Sequence, residues 1–106
     1  VVFVEASTFT KLLPRYLDDE AYRLLQAHLM KQPDAGAVIR GSGGVRKVRW
    51  AAGGKGKSGG VRVIYYWVTA DEQILMLTIY GKGEKEDLSA ADLKRIVKLV
   101  EESTNG

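Results

Sequence analysis

One lysine- and arginine-bearing segment carries most of the residues suited to chemistry. Between Ala35 and Ala70 there is no acidic residue, while Arg40, Arg46, Lys47, Arg49, Lys55, Lys57 and Arg62 all fall in that window. The remainder carries 9 basic and 13 acidic residues. A cationic stripe on an otherwise acidic chain suits a polyanionic ligand. Alternation places Lys47 and Arg49 on one face of a strand, and Arg62, Ile64 and Tyr66 on one face of the next. Tyr66 and Tyr80 could interleave aromatic surface with these cations. Phosphate contacts together with base stacking are how single-stranded RNA is held.

Other chemistries fit less well. Ala51–Ser58 reads AAGGKGKS, a loose form of a phosphate-binding loop. That chemistry needs a helix after the loop, so that its N-terminus can hold phosphate. The segment that follows, Val61–Val68, is strand-like, so a flexible hairpin loop is the better reading. His28 is the sole histidine and lies in a helical stretch with no catalytic partner near it in sequence, which favours a structural role. There is no cysteine, so neither a disulfide framework nor a thiolate metal site can form, and no metal or cofactor is expected. The acidic groups Asp18–Glu20, Glu84–Asp87 and Glu101–Glu102 read as helix-end and solubility charges.

These residues need elements to position them. Val1–Glu5 is β-branched and aromatic and predicts a strand. Ser7 or Thr8 can cap a short helix through Leu13, with Pro14 interrupting it. Asp18, Asp19 and Glu20 place negative charge at the start of a second helix, in which Tyr22, Leu25, Leu29 and Met30 recur at helical spacing until Pro33. A loop is expected from Gly36 to Gly44. Val45–Ala51, Val61–Thr69 and Gln73–Tyr80 then read as three strands, with Asp71–Glu72 as a turn and Thr78, Tyr80 and Lys82 on one face. Their short connections favour antiparallel hairpins. Ser89 and Asp92 cap a last helix with Leu93, Ile96, Val97 and Val100 as its apolar stripe.

The expected architecture is an α+β domain of order β-α-α-β-β-β-α, with an antiparallel sheet of about four strands and the helices on one face. With 106 residues, 45% apolar and 27% charged, the chain fits one folded domain spanning 1–106. The longest apolar runs fall well short of the roughly 20 residues of a membrane span, so a cytoplasmic, non-membrane protein is expected.

Taken together, this order of elements, Gly44–Val45–Arg46–Lys47–Val48–Arg49, Arg62–Val63–Ile64–Tyr65–Tyr66 and Leu77–Thr78–Ile79–Tyr80–Gly81–Lys82 resemble the RelE superfamily of bacterial toxins. The Gly54–Lys57 loop (Gly-Lys-Gly-Lys) is similar to that of the HigB-type branch. The resemblance runs from Phe3 to about Val100. It implies a type II toxin that cleaves mRNA on the 70S ribosome and thereby inhibits translation. It further implies a cognate helix-turn-helix antitoxin (HigA-like), with operator DNA reached only through the toxin–antitoxin complex. The family's basic residues fall at Lys47 and Arg49, its strand-opening arginine at Arg62, and its basic residues after the last strand at Lys82 and Lys85. Several members carry a tyrosine near the start of the C-terminal region. Glu84–Leu88 holds none, and Tyr80 is the candidate in its place.

RNA cleavage of this kind starts with attack of a 2′-hydroxyl on the adjacent phosphate. It requires a base, charge stabilisation and an acid. Crowded lysines can serve as base and acid, because neighbouring positive charge lowers a lysine pKa. Lys47, Lys55 or Lys57 is then the base candidate and Lys82 or Lys85 the acid candidate. Arg49 and Arg62 clamp the phosphate, since guanidinium stays charged and binds bidentately. Arg46, Lys55, Lys57, Tyr66 and Tyr80 are the expected RNA or ribosome contacts. The alternative is a basic module that binds RNA or ribosomes without cutting.

Overall fold

The computed structural model describes residues 1–51, 60–84 and 87–105. Its elements run β1 (Val2–Glu5), α1 (Ser7–Tyr16), α2 (Asp19–Lys31), β2 (Ala37–Val38), β3 (Arg46–Trp50), β4 (Val61–Val68), β5 (Gln73–Gly81) and α3 (Ala90–Asn105). The strands form one sheet in the order β1-β5-β4-β3-β2. The β2–β3, β3–β4 and β4–β5 pairs are antiparallel, whereas β1 lies parallel to β5. The α+β class stands, but the sheet is mixed and five-stranded rather than wholly antiparallel with about four strands. β2 is too short to leave a periodic signature, and the direction of β1 depends on a partner at the far end of the chain.

Local chemistry accounts for the helices. Asp18 accepts a hydrogen bond from the Ala21 amide at 2.7 Å and starts α2, and Asp19 and Glu20 complement the positive helix end. The Ser89 hydroxyl accepts from the Asp92 amide at 3.0 Å and starts α3. Contrary to the expected stop at Leu13, α1 continues through Pro14 to Tyr16. Proline removes one backbone donor, here at an exposed position, and the Leu17 amide still closes on the Leu13 carbonyl at 3.0 Å.

Alternation splits the core into two layers. Val48, Val61, Val63, Tyr65, Ile74, Met76 and Ile79 face Phe9 of α1, Leu17 just after it, and Ala21, Leu25 and Leu29 of α2. Val45, Ile64, Leu75, Leu77 and Tyr80 face Ile96 and Val100 of α3. The helices therefore cover both sheet faces rather than one. A bulge in β5 sets the division. Tyr65 pairs with Met76 but its neighbour Ile64 pairs with Thr78, so Leu77 is an extra residue. One extra residue exchanges the faces of everything after it. The bulge thus puts Ile79 into the α1/α2 core and turns Tyr80 to the α3 face.

Candidate nucleic-acid interface

The cations Lys47, Arg49 and Arg62 share the sheet face that packs against α3. In the β3–β4 register Arg49 lies directly opposite Arg62, and in the β4–β5 register Arg62 lies directly opposite Tyr80. These three residues form a row across three strands on one face. Exposure falls along it: Arg49 is exposed, Arg62 half-buried and Tyr80 only 3% exposed. Lys47 stands on the same face, two residues before Arg49. An anion seated between Arg49 and Arg62 can accept from both guanidinium groups.

Lys47 has a partner that sequence spacing did not show. Its Nζ donates to Asp87 Oδ1 at 2.6 Å, with the lysine side chain 31% exposed and the aspartate 74%. The ammonium holds the Asp87 carboxyl below the usual carboxylate range, mainly through this hydrogen bond. A cavity of about 360 Å³ opens beside the pair, lined by Val38, Ile39, Arg40, Tyr80 and Leu88 among others. Burial pushes the Tyr80 phenol up, opposed by Lys47 and Arg62 and reinforced by Asp87, so its hydroxyl lies in the field of all three.

The remaining expected site residues fall in different places. Lys82 is exposed immediately after β5, its amide donating to the Gly60 carbonyl at 3.3 Å. Arg46 does not join the row. It faces the α1/α2 side, where its guanidinium donates to the main-chain carbonyls of Gly36 at 2.7 Å and Asp34 at 3.3 Å. Tyr66 shares the face of Arg62 but is four residues along β4, about 13 Å away at the strand rise. It packs over Gly44. Tyr80 has its ring in the α3 core and so offers no open surface for base stacking. The expected interleaving of Tyr66 and Tyr80 with the cations is therefore not built, because each ring packs against protein. Lys55, Lys57 and Lys85 lie outside the described residues. Asp87 and Arg40 are the positions that sequence reasoning left out of the site. Arg40 belonged to the basic window, whereas the Lys47–Asp87 contact spans 40 residues and has no local signal.

His28 lies with its ring centroid 5.2 Å from that of Trp50, on the α1/α2 side and away from the cationic row. The strand β4 begins one residue after Gly60, so no helix N-terminus follows the glycine-rich loop to hold a nucleotide phosphate. Among the described residues no three His, Asp or Glu side chains converge as metal ligands, and no helix is long and apolar enough to cross a membrane.

Compared with models of known protein families, the sequence matches none. The fold is similar to that of solved structures. One is a double arginine-to-alanine mutant of the Escherichia coli toxin RelE in the free state. It has a TM-score of 0.61 and 18% identity, over 90% of this chain and 96% of that one. Another is the intact E. coli RelBE toxin–antitoxin complex, with a TM-score of 0.56 and 18% identity over 79% of this chain and 98% of the matched one. At this identity the likeness is one of fold, and it spans nearly the full length of those chains.

Proposed function

We propose that the chain is the toxin of a type II toxin–antitoxin system and cleaves mRNA on the ribosome. The observation that carries this reading is the cross-strand row Arg49–Arg62–Tyr80 with Lys47 beside it, on the α3 face of a RelE-like sheet. A fold shared with a toxin supports this reading, and the cationic row supplies the chemistry that a fold alone does not.

In this mechanism a single RNA strand crosses the face with its scissile phosphate at Arg49 and Arg62. Two guanidinium groups neutralise the charge that builds on the phosphorane as the 2′-oxygen attacks and the 5′-oxygen leaves. Lys47 enters as an ammonium already donating to Asp87. To act as a base it must lose both its partner and its proton, so its pairing favours a role in holding an anion. That leaves Lys55 and Lys57 as the base candidates and Lys82 or Lys85 as the acid candidate. The Tyr80 phenol, pushed up by burial, places its hydroxyl beneath the row. The proposed partners are the 70S ribosome, mRNA and a cognate antitoxin. A HigA-like, helix-turn-helix form of the antitoxin follows from the HigB-like loop sequence, and operator DNA is reached only through that complex.

Induced expression in bacteria tests the reading. Growth arrest accompanied by cut messenger RNA is the expected result. Harmless expression of folded protein, or arrest with intact messages, contradicts cleavage and leaves the non-catalytic RNA- or ribosome-binding module.

A further inference from the structure

We propose that Lys47 is a second phosphate site, one nucleotide along from the phosphate at Arg49 and Arg62. Asp87 occupies it as an internal anion until an RNA strand displaces it. This rests on the reading of the sheet face as an RNA site. Lys47 and Arg49 project from the same face two residues apart, which separates their Cα atoms by about 7 Å. Long cationic side chains at that spacing can each meet one of two successive phosphates in a single strand.

The origin of the carboxylate supports the assignment. Strands β3, β4 and β5 contain no acidic residue, so the face they form is cationic by sequence. The acid that meets it comes from outside the sheet, from the segment between β5 and α3, and places a carboxylate oxygen 2.6 Å from the Lys47 ammonium. A carboxylate and a phosphodiester are both singly charged oxygen acceptors, so either can satisfy that ammonium. Asp87 is 74% exposed, and an ion pair this open to water is worth little and is readily exchanged. Next to the pair, the cavity of about 360 Å³ offers apolar walls from Val38, Ile39 and Leu88 and a further cation from Arg40. It provides room for a nucleoside beside the phosphate at Lys47.

The experiment measures fluorescence anisotropy of a short 2′-O-methyl oligoribonucleotide at low salt, a probe that lacks the attacking hydroxyl and stays uncut. Asp87→Asn keeps the shape of the side chain and removes its charge. It is expected to bind about three- to fivefold more tightly than the unaltered chain, the scale of one exposed ion pair. Lys47→Ala is expected to bind more weakly and to lower the salt slope by about 0.7, the loss of one phosphate contact. In the Lys47→Ala background, Asp87→Asn should bring no gain. Unchanged or weaker binding by Asp87→Asn overturns the proposal, as does a gain that persists without Lys47, which would mark a general charge effect. Thermal unfolding of Asp87→Asn checks that the variant is folded. An Arg49→Ala/Arg62→Ala variant separates the two readings. If it loses binding while Asp87→Asn matches the unaltered chain, the RNA site stands and the internal-anion proposal alone fails. If no protein binds, or this variant binds like the unaltered chain, the RNA reading fails and takes the proposal with it.

Discussion

Arg49 and Arg62 are placed in direct opposition by the β3–β4 register. Two guanidinium groups at opposed positions can converge on one phosphate. Arg49→Thr keeps a side chain suited to a strand and removes one of the two cations. It is expected to weaken binding of single-stranded RNA about tenfold, as for loss of one charge-assisted contact. The thermal midpoint of the free protein should stay within about 4 °C. Anisotropy and calorimetry check the two. Undiminished binding would remove Arg49 from the site, and a larger fall in midpoint would show that Arg49 serves the fold instead. The charge cluster was legible in the sequence because Lys47 and Arg49 are two apart on a strand. The opposition of Arg49 to Arg62 was not, because it depends on where the β3–β4 hairpin closes. The departure of Arg46 from the cluster follows from alternation itself, since an odd spacing sends it to the other face. Its main-chain partners at Asp34 and Gly36 lie in a loop that carries no periodic signal.

Elements fix these side chains through a few precise contacts. Tyr65, fully buried in β4, donates to the Pro33 carbonyl at 2.7 Å and accepts from the Gly36 amide at 2.9 Å. It ties the loop after α2, and hence β2 and one wall of the cavity, to the sheet centre. Gly36 belongs to the same closure: a Cβ there would come within 2.9 Å of the Lys47 carbonyl oxygen and of the Tyr65 ring. Tyr65→Phe removes one hydroxyl and leaves both main-chain groups without it, at a cost of about 1–3 kcal/mol in denaturant unfolding. A change below a few tenths of a kcal/mol would mean that water replaces the hydroxyl and that the tie is dispensable. Helix starts at Asp18 and Ser89 and the three antiparallel strands could be read from capping and alternation. The bulge at Leu77 could not, since Ile74–Tyr80 is apolar at nearly every position and offers no alternation to break. Strand β2 and the parallel pairing of β1 were hidden for the related reason that long-range partners define them. Continuation of α1 past Pro14 shows a local rule yielding at an exposed position that can spare one hydrogen bond.

At the scale of the molecule, the sheet separates two tasks. Helices α1 and α2 cover one face, bury most of the core and hold His28 against Trp50. Helix α3 packs on the other, where a chain segment free of acid from Ala35 to Ala70 brings Lys47, Arg49 and Arg62 to one face. Binding of one phosphate by Arg49 and Arg62 and of a second by Lys47 should release counterions from about two phosphates, giving a slope near −1.4 in a plot of log affinity against log salt for single-stranded RNA. A slope near zero would contradict a phosphate-dominated interface. The central claim, cleavage of message through the Arg49–Arg62 pair, is tested most directly with purified ribosomes translating a defined mRNA and new 5′ ends mapped by primer extension. The unaltered chain is expected to cut within the translated region, and folded Arg62→Ala to cut at least about tenfold more slowly, as for loss of a charge-assisted contact to the transition state. An intact message with the unaltered chain, or equal cutting by Arg62→Ala, would contradict the account.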